Sequence, residues 1–262
     1  DTTTNLPSTA NQEMKNVLQS SSILLRTLAL VLFVVVSTTT EAKGGKSSSS
    51  SRSSGKKMNK RMKGGSSRTV DMKLRVTNIM RLQPLSPFFV MVHNYEAEEL
   101  FEFGYPPSLE LALLAENGDP MSLVDKYQGS RGVLSAEVFS MGAPYFGGDI
   151  VDIPFSTTRQ YPLVTIASMG INTNDMFVAI NGQRLSPGEV LYLNGLDAGS
   201  EENNELCGSI PGPACAMINA TNVRSHNGEG FVYVHPGFFG IGDLPDGRYD
   251  WRNPAVKVEV MY

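Results

Sequence analysis

The chain has 262 residues, of which 41% are hydrophobic and 18% charged, and its formal net charge is −4. The charge is unevenly distributed: residues 69–262 contain 11 Lys and Arg against 23 Asp and Glu, a formal charge of −12. This acidic balance argues against nucleic-acid binding by that part of the chain and is compatible with cation binding. Its roughly 190 residues are enough for one hydrophobic core.

The first 42 residues predict a secretory signal peptide preceded by upstream residues 1–13. A basic residue is followed by a short apolar run over residues 27–37, and the small residues Thr40 and Ala42 match a signal-peptidase site. The run is shorter than the roughly 20 residues needed to cross a bilayer. An uncleaved membrane anchor is the alternative interpretation.

Residues 43–68 consist almost entirely of Ser, Gly, Lys and Arg, with nine basic residues and no acidic ones. Such a segment cannot bury enough apolar surface to offset the entropy of ordering, so we expect a disordered linker. Its positive charge also predicts a tether for anionic surfaces, such as acidic polysaccharide or lipid. A purely solvated linker is the alternative.

Residues 69–262 are interpreted as one β-rich domain. Val70, Met72, Leu74 and Val76 alternate with polar residues, which is typical of a half-buried strand. Other runs predict further strands, over 88–92, 133–141, 150–155, 161–169, 176–180, 190–193, 231–234 and 256–261.

One helical insertion interrupts this pattern. Residues 107–115 predict a helix that stops at Asn117-Gly118, and a short helical turn is expected over 122–126. Asn181-Gly182 predicts a hairpin turn between two strands. About eight strands with a short helical insertion predict an all-β fold, an antiparallel β-sandwich.

Cys207 and Cys215 are the only two cysteines, and Gly and Pro residues separate them. In a secreted chain, such a pair predicts one loop disulfide, with two free thiols as the alternative. The sequon that begins at Asn219 is a candidate N-glycosylation site.

The sequence contains no recognisable catalytic motif. The three histidines lack the spacing of a zinc site, and neither a Gly-x-Ser-x-Gly elbow nor a phosphate-binding Gly-x-x-x-x-Gly-Lys run occurs. We therefore expect a protein that is not an enzyme.

Two acidic stretches follow predicted strands: Asn172 to Asp175, and Asp197 to Glu201. If the strands share one sandwich, the loops at their ends can bring together Asp175, Asp197 and Glu201. Clustered carboxylates repel one another unless a cation lies between them, and hard oxygen ligands on loops suit Ca²⁺. A pair of solvated acidic loops is the alternative.

The same stretches carry a resemblance to a known family. Residues 167–178 (ASMGINTNDMFV) are similar to the Ser-Met-x-x-Pro-Ser-Pro-Asp-Trp-x-Val segment of the spondin domain, which occurs in the extracellular matrix proteins F-spondin and mindin. Residues 196–201 (LDAGSE) resemble its Asp-Ala-Gly-Thr-Asp segment, and residues 85–94 and 111–119 also fit. The similarity extends over most of the domain, and residues 249–254 (YDWRNP) look more like microbial members.

The resemblance implies a C2-like sandwich with a Ca²⁺ held at one end by Asp175, Asp197 and Glu201. Glu201 stands where the animal family has Asp, and Met176 stands where it has Trp. The implied function is that of a secreted, cell-surface or matrix-associated adhesion module that binds an extracellular protein or glycan. Ca²⁺-dependent attachment to a lipid surface is the alternative.

Overall fold

The computed structural model describes residues 68–216 and 223–262, which form an antiparallel β-sandwich with a short helical insertion. This confirms the fold class expected from the sequence. The signal peptide, the basic linker up to residue 67 and the Asn219 sequon lie outside the described residues. None of the helices in the described part of the chain is long and apolar enough to cross a lipid bilayer.

Four strands form the smaller sheet: β1 Thr69–Asn78, β4 Ile150–Thr158, β7 Val190–Leu193 and β10 Val256–Met261. Their order is β4-β1-β10-β7, so β7 lies at one edge. In β1 the predicted alternation is present, because Leu74 and Val76 are buried whereas Arg75 is partly exposed. The Arg75 guanidinium binds the carboxylate of Asp152 on β4 at 2.9 Å.

Six strands form the larger sheet: β2 Phe88–His93, β3 Val133–Phe139, β5 Leu163–Met169, β6 Met176–Gln183, β8 Leu196–Asp197 and β9 Tyr233–Val234. Their order is β3-β2-β5-β6-β8-β9. Every residue of β2 and β5 is buried, which explains why both strands have nearly continuous apolar sequences. A strand has such a sequence when both faces of its sheet are covered.

The inner face of the larger sheet packs on the smaller sheet. Val90, Ile166 and Val178 belong to this core, together with Ile153 and Val258 from the smaller sheet. All five are at most 1% exposed.

The outer face of the larger sheet is covered by two helices, α1 Leu109–Asn117 and α2 Met121–Tyr127. A second core joins them to the sheet, and its members include Phe89, Leu111, Leu114, Tyr127 and Phe177. A single-turn helix, α3 Asp246–Tyr249, precedes β10.

The residues at the two ends of α1 explain where the helix begins and ends, and its end at Asn117-Gly118 is the one predicted from the sequence. The Ser108 hydroxyl accepts the N–H of Leu111 at 3.3 Å, which is the usual side-chain cap at a helix start. Gly118 ends the helix with φ of 66°, in the left-handed region that favours glycine. The predicted short helical turn is also present, as α2.

The hairpin predicted at Asn181-Gly182 is wrong. Both residues lie inside β6, opposite an irregularity in the pairing of β6 with β5 between Val164 and Ile166. Gly182 has φ of 64°, and its N–H donates to Thr165 Oγ1 at 2.8 Å. A glycine in this conformation forms a β-bulge as readily as a turn, so the dipeptide alone did not distinguish the two.

The sequence also failed to predict β8. This strand has only two residues, and it pairs with the first two residues of β6 (Met176 with Asp197, and Phe177 with Leu196). A run of two residues is too short to show a period of two.

Candidate metal site

The loop between β5 and β6, residues 170–175, is a buried polar segment that we call the polar loop. Four of its side chains are at most 3% exposed: Asn172, Thr173, Asn174 and Asp175. Asn172 donates to the carbonyl of Leu82 at 2.8 Å and accepts the N–H of Ala214 at 3.1 Å. Asn174 accepts the N–H of Glu205 at 3.1 Å. The polar loop therefore connects three other segments of the chain.

The pairing of β6 with β8 brings the two acidic stretches together. The N–H of Ala198 donates to the carbonyl of Asp175 at 3.1 Å, extending the ladder by one step beyond the strands. The chain then turns at Gly199, where φ is 67°. A Cβ at Gly199 would lie 2.2 Å from the carbonyl oxygen of Phe231, so this close approach requires glycine.

Asp175 holds the second acidic stretch directly. Its Oδ2 accepts the N–H of Ser200 at 2.7 Å and that of Glu201 at 3.0 Å. Its Oδ1 is buried and accepts no hydrogen bond. The carboxylate thus fixes the backbone at 200–201 with one oxygen and leaves the other without a donor.

Glu201 shows the same asymmetry. One carboxylate oxygen, Oε1, accepts the N–H of Ser225, and the other, Oε2, is buried without a hydrogen bond. The charges of Glu116 and Arg224 also act on Glu201, and these two residues form an ion pair at 2.9 Å. Because Arg224 is already engaged with Glu116, its charge only partly compensates that of Glu201.

Asp197 is better supplied with donors. Its Oδ1 accepts the N–H of Gly199 at 2.7 Å, and its Oδ2 accepts the amide of Asn203 at 2.6 Å. The Nε2 atom of His235 lies 3.7 Å from Asp197 Oδ2, which is beyond hydrogen-bond distance.

His235 does not neutralise Asp197. Its Nδ1 accepts the N–H of Gly237 at 3.0 Å, so the proton of the neutral ring is on Nε2. Burial lowers the pKa of His235 to about 3, and the imidazole is therefore uncharged at neutral pH.

Burial also changes the acidity of the three carboxylic acids. Asp175 and Asp197 are 0% exposed and Glu201 is 1% exposed, so the alternative of solvated acidic loops is excluded. Loss of solvation raises the pKa of Glu201 to about 7. It also raises the pKa of Asp175, which the nearby charge of Asp197 raises further, and the pKa of Asp197 itself. The fold disfavours three negative charges here unless a positive charge is supplied.

The structure thus brings the three predicted acids to one end of the larger sheet, around the start of β6. Within residues 68–216 and 223–262, no group of three or more His, Cys, Asp or Glu side chains is placed so that it could hold a metal ion. The individual donor atoms are nevertheless of the type that Ca²⁺ prefers. Asp175 Oδ1 and Glu201 Oε2 are hard oxygen atoms that lack a partner. A carboxylate oxygen that accepts one hydrogen bond, as those of Asp197 do, keeps a further lone pair for an ion.

Glu205 is a structural residue of this region that sequence reasoning missed. It is 3% exposed, and its two carboxylate oxygens accept the N–H groups of Phe239 and Ile241. Its carbonyl also accepts the N–H of Asp243 at 3.0 Å. Glu205 thereby clamps the segment 239–243 onto the acidic loop. Its sequence context, among polar and acidic residues, gave no signal of burial.

The predicted disulfide between Cys207 and Cys215 is present, and it closes the loop that follows Glu205. Both sulfurs are buried, and both cysteines belong to the core between the two sheets. The bond fixes the segment whose Ala214 N–H binds the polar loop.

Comparison of the chain with models of known protein families and with curated proteins finds no match.

Proposed function

We propose that residues 69–262 form a calcium-binding extracellular adhesion module that binds a protein or glycan partner and is not an enzyme. The observation that carries the proposal is the pair of buried, unpartnered carboxylate oxygens on Asp175 and Glu201. Unpaired buried carboxylates are costly, and a divalent cation bound to them supplies both the missing charge and the missing partner. The resemblance to the spondin domain supports the same assignment.

In this proposal Ca²⁺ is held by Asp175, Asp197 and Glu201. These residues belong to the polar loop, to β8 and to the loop after β8. Bound Ca²⁺ supplies positive charge and oxygen coordination, and its role is structural. Asp175 and Glu201 already hold the backbone at 200–201 and at Ser225, so their coordination fixes the loops that form this end of the domain.

Two features support an extracellular setting. The disulfide between Cys207 and Cys215 is typical of proteins that fold in an oxidising compartment. The sequence of residues 27–42 has the pattern of a secretory signal. The nine basic residues of segment 43–68 would then hold the acidic domain near an anionic surface.

Binding to immobilised extracellular matrix tests the adhesion proposal. We expect the full chain to bind in the presence of Ca²⁺ and to be released by a chelator. A variant with Asp175→Asn, Asp197→Asn and Glu201→Gln should bind at least about tenfold more weakly, a loss of about 1.4 kcal/mol. A role for calcium in adhesion would be contradicted if the variant bound the matrix as tightly as the wild type. It would also be contradicted if the wild type remained bound in the presence of the chelator.

Ca²⁺-dependent attachment to lipid is a second candidate, favoured by one specific observation. Three large apolar side chains next to the Glu205 clamp are exposed: Leu206 by 45%, Phe239 by 58% and Ile241 by 69%. Apolar side chains on the rim of a cation site can enter a bilayer while the ion binds a head-group phosphate.

Vesicle sedimentation separates the two candidates. Vesicles of phosphatidylserine and phosphatidylcholine should pellet the full chain in Ca²⁺, but not in a chelator, if lipid is the partner. Phe239→Ser together with Ile241→Ser should then abolish pelleting. If the chain stays in the supernatant under both conditions, the lipid candidate is excluded and adhesion to a protein or glycan remains.

A further inference from the structure

A cleft of about 560 Å³ lies between β6 of the larger sheet and β7, the edge strand of the smaller sheet. The cleft exists because β8 pairs with β6 only at Met176 and Phe177. Beyond that point no strand of the described chain pairs with this edge of β6, and the side chains of Ala179, Asn181 and Gln183 line the cleft. The topology therefore leaves one side of the sandwich open.

Aromatic rings form two walls of this cleft. Phe101 packs edge-on against the buried ring of Phe177 at 5.4 Å and edge-on against Phe103 at 5.3 Å. Phe103 is 56% exposed, and Tyr192 on β7 is 61% exposed. The cleft thus offers open aromatic surface that is anchored to the core through Phe101.

The segment that carries the phenylalanines is held in place by β6. The side chain of Asn181 accepts the N–H of Leu100 at 3.1 Å and donates to the carbonyl of Phe101 at 2.8 Å. Both groups of the amide are used, so Asn181 acts as a positioning residue for the aromatic wall. A wall fixed in this way loses little entropy when a ligand binds.

The polar groups of the cleft are carboxylates and amides. Glu99 and Glu102 are exposed on the segment that carries the phenylalanines, and Gln183 and Asn194 are exposed on the other walls. Among the described residues that line the cleft there is no Lys or Arg. Carboxylate and amide groups exchange hydrogen bonds with neighbouring hydroxyl groups, whereas two carboxylates without a basic partner repel an acidic ligand.

We infer that this cleft binds a neutral oligosaccharide. The apolar C–H face of a hexose ring packs on exposed aromatic rings such as Tyr192 and Phe103, and its hydroxyl groups bind the surrounding carboxylates and amides. The inference deepens the proposed function, because it rests on the domain being a binding module and names a ligand class. The cleft residues do not include the three proposed calcium ligands.

Calorimetry on the full chain tests this inference with defined sugars. The probes are neutral hexaoses (β-1,4-glucan, β-1,3-glucan and β-1,4-mannan) and an acidic one, hexaguluronate, each at up to about 5 mM, where a Kd near 1 mM is measurable. We expect at least one neutral hexaose to bind and hexaguluronate not to bind.

Variants connect binding to the cleft. Tyr192→Ala and Phe103→Ala should each weaken binding of the neutral hexaose at least about tenfold, whereas Tyr192→Phe should retain it because the ring remains. Tyr95→Ala is the matched control: Tyr95 is 80% exposed and does not line the cleft, so binding should be unchanged. Equal melting temperatures establish that each variant is folded.

Three results would overturn the inference. The chain could bind no neutral hexaose, it could bind hexaguluronate as tightly as a neutral hexaose, or the Tyr192→Ala and Phe103→Ala variants could both bind the neutral hexaose as tightly as the wild type. Binding of a basic hexapeptide without binding of sugar would instead identify the cleft as a peptide site. Measuring the melting temperature with and without Ca²⁺ in the same samples separates failure of the sugar-binding inference from failure of the proposed function. If Ca²⁺ stabilises the chain and no sugar binds, only the cleft assignment is wrong.

Discussion

The buried carboxylates of this domain differ in how many hydrogen-bond donors surround them. Asp175 and Glu201 are buried with one carboxylate oxygen each that accepts no hydrogen bond. Glu205, only four residues after Glu201, instead binds two backbone N–H groups with its two oxygens. The same chemical group is thus a structural clamp at one position and an incomplete site at the others. The difference lies in the donors that the backbone supplies, and residue type alone does not reveal it.

The first prediction concerns pH in the absence of Ca²⁺. Folding raises the pKa of Glu201 from its ordinary 4.5 to about 7, and it raises those of Asp175 and Asp197 as well. At a pH between the pKa of these acids in the unfolded chain and their raised pKa in the folded chain, the folded chain binds more protons. The free energy of unfolding must therefore fall as pH rises through this range. In a chelator, we expect a lower melting temperature at pH 8 than at pH 5, with a loss of more than about 1 kcal/mol.

Two controls check this pH dependence. Glu201→Gln removes one titrating group, so the decline between pH 5 and pH 8 should be smaller. Glu137→Gln changes an exposed glutamate on β3 and should leave the decline as it is in the wild type. A melting temperature that rises between pH 5 and pH 8 in chelator would contradict the raised pKa values.

The second prediction concerns Glu205. Glu205→Ala removes the acceptor of two backbone N–H groups at Phe239 and Ile241, and we expect a loss of about 2–4 kcal/mol in the free energy of unfolding. Glu205→Gln keeps one carbonyl oxygen and should lose about half as much. Urea unfolding measures both. A Gln variant as stable as the wild type would show that the second carboxylate oxygen contributes nothing.

At the scale of elements, the pairing of β6 organises the site. Its first two residues pair with β8, next to the three acids, and further along Asn181, beside the bulge, lines the open cleft. One strand therefore contributes to both candidate sites, and changes along it should affect them separately.

Of the ten strands in the described part of the chain the sequence predicted nine, together with the helix α1 and the turn α2, because periodicity and capping are local signals. It missed β8 and misassigned Asn181-Gly182, because a two-residue strand and a bulge are defined by their partners across the sheet. That Asp175, Asp197 and Glu201 lie on neighbouring segments at one end of the sheet was predictable from strand ends, whereas their sharing of one ion stays a prediction. Their burial and the clamp by Glu205 depend on contacts between distant loops and were not predictable.

The third prediction tests the bulge. Gly182→Ala places a side chain at φ of 64°, and we expect a loss of about 1–2 kcal/mol. Gly247→Ala, at a helical glycine outside the left-handed region with open space around its Cβ position, should be neutral or stabilising. Chemical denaturation compares the two. A neutral Gly182→Ala would show that the bulge does not require glycine.

The fourth prediction concerns the disulfide. Cys207 and Cys215 close a short loop, and the chain-entropy relation gives about 2.5 kcal/mol for a loop of this size. We expect Cys207→Ser with Cys215→Ser to remain folded and to lose about 2–3 kcal/mol in thermal unfolding. The wild type under reducing conditions should match the double variant. If reduction has no effect on the melting temperature, the bond does not stabilise the loop.

At the scale of the whole molecule, the domain carries a formal charge of −12, and three of its negative groups are buried at one end of the larger sheet. A divalent cation bound as proposed would reduce that charge and supply a partner to the two unpartnered oxygens. It would also link the polar loop, β8 and the loop after β8, which hydrogen bonds already join. The proposed calcium binding would therefore account for the acidic composition and for the unpartnered oxygens together.

Calorimetric titration of the full chain with Ca²⁺ at pH 7.5, together with its melting temperature, decides whether the three acids bind calcium. A ligand that binds only the folded state stabilises it by about 2.7 kcal/mol at a concentration of 100 times Kd. We expect heat of binding and a higher melting temperature at millimolar Ca²⁺. The variant with Asp175→Asn, Asp197→Asn and Glu201→Gln should lose both effects. No heat and an unchanged melting temperature in the wild type would contradict the proposed calcium binding.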